Sequence, residues 1–157
     1  MNLNIIKIND YAPDFNLYDH NNKLIKLSDT VDKKILLSFH PLAWTNICAQ
    51  QMKIIEKEIS SFNNFNVIPY GISIDTVPSK KEWAKSLDIK SFSLISDFWP
   101  HGNYAQSIGI FRNDDGFSER ANILLDENKK VIWIKIYEIS KLPEFNEIFD
   151  FLKSYRK

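Results

Sequence analysis

Apolar and polar residues alternate in two short runs near the amino end, Phe15-Asn16-Leu17-Tyr18 and Lys23-Leu24-Ile25-Lys26-Leu27, on either side of Asp19-His20-Asn21-Asn22. Period-two alternation around an Asx-rich turn predicts a β-hairpin. The compact apolar run Lys34-Ile35-Leu36-Leu37-Ser38-Phe39-His40, closed by Pro41, reads as a buried central strand. From Thr45 to Phe62 the period changes: Cys48, Met52, Ile55, Ile59 and Phe62 recur at steps of four, three, four and three, one face of a single helix. A second central strand follows at Asn66–Ile74, although Pro69 within it removes a ladder donor. Pro78 to Leu87 reads as a helix with proline in its first turn. Phe92–Ser96 reads as a short strand and Gly102–Ser107 as a short helix. Ala121–Leu125 and Lys130–Ile136 flank the turn Asp126–Lys129 as an antiparallel pair. After Pro143, the spacing of Phe145, Ile148, Phe149 and Leu152 predicts a closing helix.

This order suits an α/β fold with a central mixed β-sheet flanked by helices. It is also the order of a thioredoxin-like fold with an N-terminal β-hairpin extension. Fold order alone carries no function. No repeat, low-complexity tract or Gly/Ser linker divides the 157 residues, so residues 1–157 are expected to form one domain. A domain of this size hides roughly 70% of its unfolded surface and folds without a metal or disulfide staple. Twenty basic and twenty acidic residues cancel, and no local basic run survives the cancellation, which argues against nucleic-acid binding. The amino-terminal Met1-Asn2-Leu3-Asn4-Ile5-Ile6 lacks the pattern of a secretory leader, and no apolar stretch approaches the ~20 residues of a membrane span. A cytoplasmic protein with a reduced thiol is the expectation.

Candidate chemistry narrows quickly. Cys48 is the single cysteine, so neither an intrachain disulfide nor a cysteine-only zinc site is available. His20, His40 and His101 lie in different segments without metal-ligand spacing, and neither a metal nor another cofactor is implied. In the window Ser38-Phe39-His40-Pro41-Leu42-Ala43-Trp44-Thr45-Asn46-Ile47-Cys48, a strand ends at proline and a helix opens near Thr45. With Thr45 as N-cap, Cys48 is the third helical residue, facing unpaired backbone N–H groups and the positive end of the helix dipole. That is a setting in which cysteine thiols ionise below their usual pKa of about 8.5. Cys48 also falls on the apolar face, where a lone cysteine is more often an inert small hydrophobe. The strand end, the proline, the hydroxyl three residues upstream and the first-turn location together favour a reactive thiol.

Pro41-x-x-x-Thr45-x-x-Cys48 resembles the active-site motif of the peroxiredoxins (the AhpC/TSA superfamily), and Pro41-Leu42-Ala43-Trp44-Thr45 resembles its one-cysteine, AhpE-like branch. Ala12-Pro13-Asp14-Phe15, Ser73-Ile74-Asp75 with Trp83, Leu94 to Gly102 with Gly109-Ile110, and Arg120-Ala121-Asn122-Ile123-Leu124-Leu125-Asp126 resemble further segments of that family in its order. The likeness spans about Ala12 to Trp133, and five ordered segments are far more specific than a lone Thr-x-x-Cys. Two departures stand out: His40 replaces the aromatic residue usual before the proline, and Ile123 replaces a phenylalanine.

The resemblance implies reduction of hydrogen peroxide and organic hydroperoxides. It casts Cys48 as the peroxidatic nucleophile, Thr45 as the hydroxyl that holds the peroxide, and Arg120 as the group that stabilises thiolate and stretched O–O bond. Pro41 would shield the thiolate, and Gln51 sits where the family has a polar residue that orients the arginine. With no second cysteine, an external thiol, either a small thiol or a thioredoxin-like protein, must reduce the sulfenic acid. A homodimer is the family's usual assembly, with Trp44, Phe98 and Trp99 as candidate interface aromatics. The chemistry agrees with the physics: O–O cleavage develops negative charge on the departing oxygen and calls for fixed donors around a thiolate.

The same residues admit other readings. Arg112 rivals Arg120 as the cation of the site, and either arginine could be an ordinary surface side chain. His40 is expected as a partly buried strand-end residue, Trp99 as core or interface packing, and His101 as a turn residue. A Cys–His hydrolase would use His40 or His101 as base, but no glycine-rich oxyanion loop accompanies the cysteine. A non-enzymatic redox-sensing thioredoxin-like module would keep the fold and oxidise slowly.

Overall fold

The computed structural model describes residues 4–155, so Met1 to Leu3, which carry part of the leader reading, lie outside the described residues. The hairpin forms as expected from β1 (Asn16–Tyr18) and β2 (Leu24–Lys26), paired antiparallel with Leu17 opposite Ile25. Its turn does more than reverse the chain. Asp19 Oδ1 accepts the amides of Asn21 and Lys23 at 2.9 Å each, while its Oδ2 accepts from Ser93 Oγ at 2.9 Å. His20 Nδ1 accepts the Leu94 amide at 3.0 Å, so the polar turn fastens the hairpin to the edge of the main sheet.

That sheet is built from β3 (Lys34–Phe39), β4 (Val67–Ser73), β5 (Ser93–Ser96), β8 (Arg120–Leu125) and β9 (Val131–Tyr137), in the order β5-β4-β3-β8-β9. β3, β4 and β5 run parallel, and β8 and β9 are antiparallel additions, which makes the sheet mixed. Two further strands, β6 (Phe111–Arg112) and β7 (Phe117–Ser118), form a small separate ribbon. Their two-residue length carries no periodicity, and the sequence pattern does not reveal them.

Alternation along the strands divides the core in two. Ile35, Leu37, Phe39, Ile72 and Ile123 pack with Tyr104, Ala105 and Ile108 around α4 (Asn103–Ser107). Leu36, Leu94 and Leu124 point the other way, toward α1 (Asn46–Lys57), α2 (Ile59–Asn64), α3 (Val77–Ser86) and α5 (Asn146–Ser154). Cys48, Met52, Ile55 and Phe62 all belong to this second cluster. The long helix expected from Thr45 to Phe62 is divided at Glu58, where φ is −96° and ψ 15°. Bonds from Glu58 N to Ile54 O and from Phe62 N to Glu58 O still cross the break, so the apolar face continues through it.

Pro69 is accommodated by its side of β4. The carbonyls of Asn66 and Ile72 accept from β3 and its extension, whereas Ser73 O accepts from Asp97 N on the β5 side. Odd-numbered residues of β4 therefore face β5, and β5 begins only opposite Tyr70. The missing N–H falls where there is no partner strand to receive it.

Among the described residues no helix is long and apolar enough to cross a membrane. At the start of the described chain, Ile6 N donates to Ile108 O at 2.9 Å, and the neighbouring Gly109 has a φ of +82°. A Cβ on Gly109 would come within 2.4 Å of the Asn4 carbonyl oxygen. Gly109→Ala should lose about 1–3 kcal/mol in urea denaturation from left-handed strain and backbone crowding; an unchanged midpoint would contradict this packing.

Candidate active site

α1 opens at the end of a short loop that leaves β3 through His40 and Pro41. Trp44 takes a left-handed φ of 69°, which turns the chain into an extended Thr45 (φ −110°, ψ 152°) at the N-cap. The first helical bond runs from Ala49 N to Thr45 O, so the amides of Asn46, Ile47 and Cys48 precede the helix ladder. Cys48 is the third residue of the helix, as the sequence suggested, and it is 1% exposed. Thr45 itself departs from a simple cap: its hydroxyl donates to Leu42 O at 2.7 Å and makes no cap bond to the helix. That exposed hydroxyl stiffens the loop instead, and Pro41 is buried in it.

Arg120 is the first residue of β8, opposite Tyr137 on β9. Arg120, Asn122 and Leu124 alternate onto one face of β8, and Leu124 packs there in the cluster that holds Cys48, so this is the face that meets α1. Arg120 is 2% exposed, and each of its guanidinium nitrogens is engaged. Nε and Nη2 donate to Ile139 O at 3.0 and 2.9 Å. Nη1 donates to Gln51 Oε1 at 2.7 Å and to Cys48 Sγ at 3.4 Å. Gln51 lies one helical turn beyond Cys48, and its Nε2 donates to Ser38 Oγ at 2.8 Å and to Phe39 O at 3.2 Å. Because a carbonyl can only accept, the bond to Phe39 O fixes the amide orientation and turns Oε1 toward the arginine.

The acceptors around this buried cation are a backbone carbonyl, an amide oxygen and a sulfur. No ion pair links Arg120 to a carboxylate among the described residues. A buried charge calls for a counter-charge, and the sulfur is the neighbour able to supply one by ionising. Arg112, the rival, is bound elsewhere by Asp115 at 2.6 Å and Glu119 at 2.5 Å.

His40 corrects the expectation of partial burial, for it is completely enclosed. Its ring lies 5.2 Å from that of Trp83, and its Nε2 is 3.5 Å from Lys80 Nζ. Burial, then the Lys80 and Arg120 charges, hold its pKa well below the ordinary 6.5, so the imidazole is neutral. His101 sits in a turn, with Nε2 2.7 Å from Gly116 O. Cys48 is bonded to Arg120 rather than to either imidazole, and the Cys–His pair of a hydrolase is not assembled. Trp99 is 77% exposed, which excludes the core alternative for it.

The pattern of the sequence missed Lys80, which is completely buried on α3 and donates to Ser73 Oγ at 2.5 Å. Ser73 Oγ donates in turn to Asp75 Oδ2 at 2.6 Å, and the same carboxylate oxygen accepts the Ala43 amide at 2.8 Å. Lys80 precedes Trp83 and Ala84 by three and four residues, a spacing that places it on the buried face of α3. Among the described residues, no group of three or more His, Cys, Asp or Glu side chains could hold a metal ion.

Residues 8–134 match the model of the AhpC/TSA family. The chain belongs to this family. Alkyl hydroperoxide reductase E of Mycobacterium tuberculosis is 34% identical over 125 residues, covering 79% of this chain and 81% of the relative. A thiol peroxidase of Streptococcus agalactiae serotype V is 30% identical over 128 residues, covering 82% of this chain and 76% of the relative. The fold matches the solved structure of Mycobacterium tuberculosis AhpC with a TM-score of 0.85 at 18% identity, covering 96% of this chain and 98% of that one. Reduced Plasmodium vivax 2-Cys peroxiredoxin matches with a TM-score of 0.84 at 22% identity, covering 95% of this chain and 81% of that one. These structural likenesses bear out the thioredoxin-like α/β fold.

Trp44 reports on the loop that carries Cys48, since its Nε1 donates to Ser79 Oγ at 3.0 Å only four residues before the sulfur. Oxidising Cys48 should change the tryptophan emission, and Trp44→Phe should remove most of that change. An emission unaltered during oxidation verified by mass would contradict the packing described.

Proposed function

We propose that this chain is a thiol-dependent peroxidase that reduces hydrogen peroxide and organic hydroperoxides through Cys48. Family membership and the relatives at 34% and 30% identity support the activity class. The 3.4 Å contact between Arg120 Nη1 and Cys48 Sγ carries the assignment of the site.

The ionised sulfur attacks the terminal oxygen of the hydroperoxide. An S–O bond forms as the O–O bond breaks, the sulfur is oxidised by two electrons, and the departing oxygen leaves as water or an alcohol after taking a proton. Arg120 favours the thiolate beforehand and stabilises the charge that grows across the breaking bond. Its planar fork is held by Ile139 O and Gln51, so little reorganisation is needed when charge develops. With its own proton given to Leu42 O, the exposed Thr45 hydroxyl holds the peroxide by accepting its O–H, and buried Pro41 shields the sulfur from bulk water.

The sulfenic acid is then reduced from outside, because the chain has one cysteine. An external thiol attacks the oxidised sulfur to give a mixed disulfide and water, and a second thiol releases Cys48. No cofactor takes part in this sequence of steps. We place the enzyme in the cytoplasm and pair it as a homodimer through exposed Trp44, Phe98 and Trp99, a pairing that sedimentation of the reduced protein reads directly.

Mixing the reduced protein with one equivalent of peroxide should consume the peroxide and add one oxygen atom to the peptide bearing Cys48. Cys48→Ser should abolish both effects while keeping the fold. Undiminished peroxide consumption by Cys48→Ser would refute the proposal, and slow oxidation of the wild-type thiol would return the reading to a redox-sensing module.

A further inference from the structure

Lys80 is a buried cation that the peroxidase steps above do not use. It is fully enclosed, donates to Ser73 Oγ at 2.5 Å and lies 3.5 Å from His40 Nε2. Methionine has nearly the same length and would fill the space without a charge to desolvate, so packing does not explain a lysine here. What the ammonium does have is a connection. Its proton bond to Ser73 leaves the Ser73 hydroxyl free to donate to Asp75, whose Oδ2 accepts the Ala43 amide in the loop between Pro41 and Thr45.

We propose that Lys80 is a positioning residue for Cys48: its ammonium is a second buried cation favouring the ionised sulfur, and through Ser73 and Asp75 it fixes the loop that presents the thiol. The inference rests on the reading of Cys48 as the reacting group.

The surrounding charges set the sign. Burial opposes the ammonium and brings its pKa from 10.5 down to about 7, against the favourable charges of Asp75 beyond β4, Cys48 on α1 and Asp97 beyond β5. His40 beside it is neutral, through burial first and then the charges of Lys80 and Arg120. His20 in the hairpin turn also loses basicity through burial, with Lys80 adding to the effect. The ammonium is therefore present below about pH 7 and lost above it. In the unfolded chain the lysine keeps its proton to about 10.5, so between about 7 and 10.5 the unfolded state binds more protons and stability from this group rises with pH. Below that window the buried charge costs the most stability, which is where its effect on the sulfur is greatest.

The test is the rate of Cys48 alkylation by iodoacetamide as a function of pH, measured without peroxide on wild type, Lys80→Met and Lys80→Gln. Glutamine keeps a donor for Ser73 while dropping the charge, and serves if methionine prevents folding. At about pH 6 either folded variant should react roughly three- to tenfold more slowly than wild type, with its profile displaced to higher pH. Superimposable wild-type and variant profiles would overturn the proposal. Loss of peroxidase activity in wild type would instead defeat the functional reading and leave this result standing.

Discussion

A guanidinium buried without a carboxylate partner among the described residues is the constraint around which this site is organised. Arg120 reaches α1 from the first position of β8, and only a fold that brings a strand beginning at residue 120 against a helix beginning at residue 46 can bond it to Gln51 and Cys48. The central sheet supplies that arrangement by pairing β3 with β8, so that the strand leading into the cysteine loop and the strand carrying the arginine lie side by side. Ser38 and Phe39 O at the end of β3 then hold Gln51, which holds the arginine. Sheet register thus determines the distance between two side chains that are 72 residues apart.

Such a site costs stability. Arg120, Lys80 and His40 are charged or titratable groups removed from water, and replacing groups of this kind with apolar ones often stabilises a protein. The surrounding apolar core offsets the cost: Met52, Ile55, Phe62, Trp83 and Leu124 are almost wholly enclosed in the same cluster. Lys80 and His40, both with depressed basicity, share this buried region with Arg120 and Cys48, and groups perturbed in this way concentrate at functional sites.

Much of this was legible in the sequence because its periodicity is local. The helical face of Cys48, Met52 and Ile55, the strand before Pro41 and the antiparallel pair after Arg120 all follow from spacing within one element. Cys48 at the third helical position could be placed the same way, and the choice of Arg120 over Arg112 drew on the family resemblance. The two-residue strands β6 and β7 could not be read, being too short to display a period. The Lys80–His40 contact joins residues 40 apart, and lysine in a helix ordinarily reads as a solvated side chain. Thr45 shows the same limit on a smaller scale: its position as N-cap was legible, but the hydroxyl's bond to Leu42 O depends on the loop geometry.

The proposed role of Arg120 is to serve the chemistry of Cys48 through the contact between its guanidinium and the sulfur. Stopped-flow measurement of the second-order rate of hydrogen peroxide reduction, comparing wild type with a folded Arg120→Met variant, isolates that role. Loss of a preorganised donor to developing negative charge predicts a fall of about 100-fold or more. A variant rate within about twofold of wild type, far below the loss expected for such a donor, would show that the guanidinium does not act on the reacting sulfur.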